Sequence, residues 1–369
     1  MSMRRLLCIL SGMNAGGAET FLMKVYRNLD RTRYQMDFCI NEKEKCFYED
    51  EILGMGGRIY RIPSKSENLK EFKNQLTEII RTEKYDRVLR ITSSAMGFMD
   101  LKIAKKAGAS VCCARSSNAS DGGGIKAWVA HRLGRFLYNR YVDVKIAPSD
   151  LAAQYTFGKR EYLDGRVSIL HNAVDLNVFR FDEENRRRIR EEFGIADNIK
   201  VIGHVGRFAE QKNHMFLADI FKAVHDEDPN TVLLLVGDGP LKSKFEDKIN
   251  ALGLSDSVIF AGIRSDVPVV LSAMDVFVFP SFYEGMPNTV IEAQATGLPC
   301  IISDTITREA NVAGIVEYTS LNTSAEDWAK RITPKFLLQR RDTKDSFLQN
   351  RYDIGSVAED FTDFVWTKN

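Results

Sequence analysis

The sequence predicts an α/β protein built from two doubly wound parallel sheets. Three observations carry that prediction. Short apolar runs alternate with helix-patterned stretches along the whole chain. At 369 residues the chain exceeds what one ordinary core supports, so two domains are expected. Two sets of apolar runs are separated by FRFDEENRRRIREEFGIADN (Phe179–Asn198), highly charged and without strand character.

The first set predicts strands at Leu6–Leu10, Met36–Ile40, Val88–Ile91, Val111–Ala114, Val144–Ala147 and Val167–Leu170. The second predicts Val201–Val205, Val232–Val236, Val258–Phe260, Val276–Phe279 and Cys300–Ser303. The domain boundary is expected around residues 175–198, giving a first domain over 1–175 and a second over 176–351. Val357–Trp366 has apolar and aromatic residues at helical spacing and predicts a closing helix.

Composition narrows the function. Lys+Arg number 51 against 50 Asp+Glu, a net of +1, which is no footprint of a nucleic-acid binder. Cys8, Cys39, Cys46, Cys112, Cys113 and Cys300 form no CxxC pair or disulfide-like framework, so a reducing, cytoplasmic setting is expected. The start, MSMRRLLCILSG, is basic like a signal peptide, but its apolar run Leu6–Leu10 is too short for one and reads as the first strand. No apolar run approaches the roughly 18 residues that span a bilayer.

The stretch SFYEGMPNTVIEAQATGLP (Ser281–Pro299) points to chemistry. The DVFVFP before it reads as a buried parallel strand, and helical spacing begins after Pro287, with Val290, Ile291, Ala293 and Ala295 facing a core. Glu284 therefore falls on the loop at a strand's carboxyl end, and Glu292 about a turn inside the next helix. Asn288 and Thr289 open that helix, where unbonded N–H groups favour anions. Two carboxylates flanking a phosphate cradle suit a ligand with hydroxyls at both ends and phosphates between them, such as a nucleotide sugar.

Other post-strand loops add to this. In VGRFAEQKN (Val205–Asn213), Gly206 permits a tight turn, and Arg207 and Lys212 can clamp a diphosphate. Alone they would read as solvated cations; the glutamate pair downstream reverses that preference. In SGMNAGGAET (Ser11–Thr20), Gly16 and Gly17 open a helix with free amides, at a spacing that fits neither GxGxxG nor a P-loop. VGDGPLKSK (Val236–Lys244) keeps a turn low beside a planar base, and Arg264 of AGIRSD can lie against that base.

These motifs in this order, with SILHNAVDLNVF (Ser168–Phe179) and GLPCIISD (Gly297–Asp304), resemble the retaining GT-B glycosyltransferases of family 4, of the bacterial exopolysaccharide and capsule type, over nearly the whole chain. The resemblance implies two Rossmann-like domains facing across a cleft, with a C-terminal helix of about 352–369 returning to the first. It implies that Arg207 and Lys212 hold the diphosphate of a nucleotide sugar, with UDP the expected carrier. Glu292 would then bind the ribose, and Glu284 a hydroxyl of the hexose or N-acetylhexosamine. Met286 and Pro287 shape the turn, Asn288 and Thr289 offer amides to phosphate, and Gly16 and Gly17 approach from the first domain. The implied acceptor is a glycan, polyprenyl-diphosphate-linked. One departure stands out: Ser117 occupies a position where many relatives carry histidine, so Arg115 or Asn118 is expected to substitute.

Two roles are open to Glu284. It can act as a carboxylate nucleophile, or, as the resemblance implies, anchor the sugar while the acceptor attacks on the face the nucleoside diphosphate leaves. In the second case Arg207, Lys212 and helix amides stabilise the departing diphosphate. No metal or cofactor is expected, because the cation pair does the work of Mg²⁺. Asp226-Glu227-Asp228 reads as a solvated turn, and His131, His171, His204, His214 and His225 show no ligand spacing and read as satisfied structural residues. The competing reading is a UDP-sugar 2-epimerase of the same fold, which would need more acid/base groups and no acceptor.

Finally, KAWVAHRLGRFLYNRY (Lys126–Tyr141) carries four cations and no carboxylate, with Val129, Leu133, Phe136, Leu137 and Tyr141 on one helical face. Two readings stand: a core-facing helix with a basic solvent side, or an interfacial surface meeting an anionic membrane.

Overall fold

The computed structural model describes residues 3–117 and 124–367. The chain divides into two compact units, Met1–Ala173 joined by Ile354–Asn369, and Val174–Asp353. The first contains β1 (Arg4–Ile9), β2 (Tyr34–Ile40), β3 (Ile59–Arg61), β4 (Arg87–Thr92), β5 (Val111–Ser116), β6 (Val144–Ala147) and β7 (Val167–Ile169), in the order β3-β2-β1-β4-β5-β6-β7. The second contains β8 (Lys200–Val205), β9 (Thr231–Val236), β10 (Val258–Gly262), β11 (Val276–Phe279), β12 (Cys300–Ser303) and β13 (Val316–Thr319), in the order β10-β9-β8-β11-β12-β13. Every pairing recorded in both sheets is parallel.

Both sheets are buried on two faces, which explains the near-continuous apolar runs. Along β1, Leu6 and Cys8 enter one core while Leu7 and Ile9 enter the other. Along β11, Phe277 and Phe279 face one way and Val276 and Val278 the other. In each unit the chain builds outward from its first strand to one edge, then returns to that strand's other side. Strand order therefore reverses between β1 and β4 and between β8 and β11, and ligands of such sheets bind outside the carboxyl ends at those reversals.

Two strands lie outside the sequence expectation. β3 and β13 are sheet edges, short and partly exposed, with Arg61, Glu317 and Tyr318 breaking the apolar pattern. The charged stretch, near which the boundary is expected, lies wholly inside the second unit. The units divide between Ala173 and Val174, and the stretch forms a helix, Glu183–Glu192, inside the second unit. Asp182 caps it through Asn185 N. Arg186 and Arg190 reach Asp275 at 2.7 and 2.9 Å, and Asp275 also accepts from Val201 N at 2.8 Å. The charges thus fasten the helix to the starts of β8 and β11.

The helix Ile354–Thr362 and the turn after it belong to the first unit. Trp366 is buried there, its ring 4.7 Å from that of Tyr34, while Arg87 donates to Val365 O at 2.6 Å. No helix among the described residues is long and apolar enough to cross a membrane.

Candidate functional site

The second unit brings Lys212 and Glu284 together. Lys212 lies in the loop after β8 and Glu284 in the loop after β11, the two strands flanking the reversal of order. Lys212 Nζ is 2.7 Å from Glu284 Oε1, with side chains 18% and 9% exposed. The same ammonium lies 4.6 Å from the centre of the Phe279 ring. Backbone contacts hold the two loops in register: Phe282 N donates to Gln211 O at 2.9 Å, and Gln211 Nε2 to Tyr283 O at 2.8 Å. Arg207 is exposed on the same β8 loop.

Glycine builds the floor of this loop. Gly237 sits at φ 136°, where an added Cβ would meet Gly206 O at 2.2 Å. The post-β8 and post-β9 loops are therefore in backbone contact, which only glycine allows.

After Glu284 the chain turns through Gly285, Met286 and the buried Pro287 into the helix Asn288–Ala295. Pro287 is its N-cap and supplies no side-chain cap; its carbonyl accepts from Val290 N at 3.0 Å and from Ile291 N at 3.2 Å. Asn288, Thr289 and Glu292 are all partly exposed on this helix, while Val290, Ile291 and Ala293 are buried beneath. Arg264 follows β10, but its guanidinium is engaged by Glu192 and by Asp266, its Nε 2.7 Å from the latter. Both carboxylates raise its pKa. A base-stacking role would have to use the guanidinium with these partners in place.

Two histidines lie under the loop, and the expectation that both are satisfied does not hold. His204 Nδ1 bonds Val278 O at 2.9 Å, but its Nε2 and both ring nitrogens of His214 have no partner among the described residues. His214 stacks on Phe208 at 4.2 Å and meets His204 edge-on at 4.7 Å. Burial, with Lys212 nearby, pushes the His214 pKa down to about 4, and burial likewise holds His204 well below its ordinary value. Both rings are therefore neutral, and Lys212 is the cation of this cluster. Sequence spacing gave no sign of the pair's stacking.

In the first unit, Gly16 caps the helix Gly17–Asn28 and both glycines are exposed. Glu19 folds back over that end, where a Cβ on Gly16 would meet Glu19 Oε2 at 2.4 Å. Burial raises the Glu19 pKa. Arg115, expected with Asn118 to stand in for the missing histidine, lies in the interior of the first unit. It is 1% exposed on β5, its guanidinium 3.5 Å from the centre of the Phe21 ring. Ser117 follows β5 and donates its N–H to Thr92 O at 3.0 Å. Asn118 lies outside the described residues.

The helix Ile125–Tyr138 also reverses an expectation. Its buried residues are His131 and Gly134, and Gly134 packs so closely on the Ala95–Met96 backbone that a Cβ would meet Met96 N at 2.6 Å. Four of the five stripe residues therefore face outward, Val129, Leu133, Phe136 (84% exposed) and Leu137, with Ile125 and Trp128 beside them, while Tyr141 packs against the core. The core-facing reading is overturned because small residues, not large ones, make the contact. Among the described residues, no group of three His, Cys, Asp or Glu is placed to hold a metal.

Comparisons with known proteins agree with this architecture. The model of the glycosyltransferase family 4 matches residues 15–178, and that of the glycosyl transferases group 1 matches residues 199–334. A Bacillus subtilis (strain 168) protein named glycosyltransferase EpsF is 36% identical over 338 residues, 90% of this chain and 87% of that one. The Escherichia coli UDP-Gal:alpha-D-GlcNAc-diphosphoundecaprenol alpha-1,3-galactosyltransferase is 37% identical over 151 residues, 40% of this chain and 39% of that one. The crystal structure of Anabaena Alr3699/HepE in complex with UDP superposes with a TM-score of 0.79 at 18% identity, covering 99% of this chain and 100% of that one. The chain belongs to the family 4 (group 1) glycosyltransferases and has their GT-B fold. It is a transferase enzyme.

Proposed function

We propose that the protein transfers a hexose or N-acetylhexosamine from a UDP-sugar, with retention, to a polyprenyl-diphosphate-linked glycan in exopolysaccharide or capsule synthesis. The observation that carries this reading is the Lys212–Glu284 contact at the β8/β11 reversal, which sets a cation and a hydroxyl acceptor side by side on the two loops that flank it. The diphosphate draws Lys212 and Arg207, and its departure is stabilised by those charges and by amides already in place. Glu284, released from Lys212, accepts from a sugar hydroxyl, while Glu292 accepts from the ribose. The acceptor hydroxyl attacks on the face the diphosphate leaves. The E. coli relative named for a diphosphoundecaprenol-linked acceptor and the UDP complex of the Anabaena neighbour support acceptor and donor respectively.

The outward stripe of the Ile125–Tyr138 helix supports the acceptor class as well. Its apolar residues are flanked by exposed Lys126, Arg132 and Arg140, a composition suited to the surface of an anionic bilayer. In sedimentation with anionic liposomes the wild-type protein pellets and Phe136→Ser with Trp128→Ser stays in solution; equal recovery in the supernatant with and without lipid contradicts docking.

UDP release tests the central reaction. A UDP-sugar with a lipid-linked glycan acceptor yields UDP and an extended glycan, with the α-anomeric configuration of the donor kept. Conversion of the UDP-sugar to an epimer without acceptor contradicts it.

A further inference from the structure

The first unit contains a buried guanidinium without a matching charge among the described residues. Arg115, near the carboxyl end of β5, is 1% exposed. Its Nη2 bonds Asn172 Oδ1 at 2.8 Å; its remaining contacts, to Leu170 O and Ser116 O, are 3.4 Å long, and its Nε has no partner among the described residues. Five N–H groups thus share one bond of normal length. No carboxylate among the described residues lies within ion-pair distance. Burial alone pushes its pKa down, to about 9, so it stays charged at neutral pH.

Other buried guanidiniums are treated differently. Arg190 meets Asp275 at 2.9 Å and two backbone carbonyls, Ala196 O and Ile199 O, at 3.1 and 3.0 Å. Arg340 makes no ion pair but bonds Leu271 O at 2.7, Met274 O at 2.5 and Thr296 O at 3.1 Å. An uncompensated buried charge is costly, and such costs concentrate where a ligand relieves them.

We propose that Arg115 determines specificity by receiving the carboxylate of an acidic sugar, a hexuronic acid unit of the substrate. The inference rests on the glycosyltransferase reading. The chemistry selects a carboxylate: one buried charge matches one negative charge, and the planar Nε/Nη2 edge fits two carboxylate oxygens side by side. Inorganic phosphate or a phosphate monoester brings up to two charges and would leave one unmatched. For a ligand to meet this edge, Asn172, which is only partly buried, has to move aside. A neutral amide oxygen gives way to a charged acceptor, and the bond becomes stronger. The Phe21 ring below holds the guanidinium plane.

The test uses the full chain saturated with UDP. Glucuronate, galacturonate, glucose, galactose and inorganic phosphate are titrated separately at constant ionic strength, and melting temperature reports binding. Uronates are expected to bind about tenfold or more tighter than the neutral sugars, and phosphate no better than the neutral sugars. Arg115→Gln should lose the uronate preference while melting at or above the wild-type temperature, since it removes an unmatched charge. Asn172→Asp, which supplies an internal carboxylate, should melt higher and lose the preference with UDP affinity unchanged. Equal binding of uronates and neutral sugars by wild type, a preference kept by Arg115→Gln, or phosphate outcompeting uronate overturns the proposal. An Arg115→Gln protein that melts well below wild type assigns Arg115 to the fold instead. Failure of UDP to bind at all overturns the parent reading and is seen before any sugar is added.

Discussion

Lys212 and Arg115 both lie where parallel strands end, one after β8 in the second unit and one on β5 in the first. Lys212 has Glu284 at 2.7 Å; Arg115 has an amide oxygen at 2.8 Å and, among the described residues, no carboxylate. A paired cation can exchange its partner for an incoming phosphate at modest net cost, because one charge contact replaces another. An unpaired one stores the demand for a ligand charge in the folded protein. The first arrangement suits a group that must be bound and released each turnover. The second suits a group that must be recognised.

The comparison breaks most visibly if the β8 loop is altered. Arg207→Ala and Lys212→Ala should each lower turnover by roughly 10²–10³, about 3–4 kcal/mol, with circular dichroism unchanged; near wild-type UDP release by both variants removes their role.

Acid comes next. The pKa of His214 in the folded chain is depressed, to about 4 against 6.5, so the unfolded chain binds the extra proton first. Stability is complete above pH 6.5 and is lost as pH falls towards 4, by about 3 kcal/mol from this group. His214→Phe should flatten the melting curve's dependence on pH across that window. An unchanged slope would mean His214 is not held neutral.

Gly237→Ala places a Cβ 2.2 Å from Gly206 O at a φ of 136°. It should cost about 1–3 kcal/mol and weaken UDP binding together with stability, as calorimetry would show. The smallest effect sharpens the pairing itself. Glu284→Gln leaves Lys212 without its carboxylate, so UDP should bind tighter by roughly 1 kcal/mol while turnover falls. If UDP binds more weakly to this variant, the exchange of partners is wrong.

Much of this was legible in the sequence because it is local. Strand cores were readable since β8 and β11 are buried on both faces and apolar throughout, and Gly206, Glu284 and Pro287 mark loops by residue type. What was hidden depends on contacts distant in sequence. Edges β3 and β13 carry too few apolar residues to stand out. The role of the charges of Glu183–Glu192 shows only when Asp275, far along the chain, is seen to collect Arg186 and Arg190. The stripe from Ile125 to Leu137 has the same spacing whether it faces a core or water, and only Gly134 against Met96 decides. That Arg115 is buried against Phe21 was hidden too, because no sequence pattern reports that contact.

The most direct measurement is calorimetric titration of UDP into wild type, Lys212→Ala and Arg115→Gln. Stabilisation of the diphosphate by the β8 loop predicts binding to wild type, at least about tenfold weaker binding to Lys212→Ala, and wild-type affinity in Arg115→Gln. Equal affinity of wild type and Lys212→Ala for UDP, or a larger loss in Arg115→Gln, contradicts it.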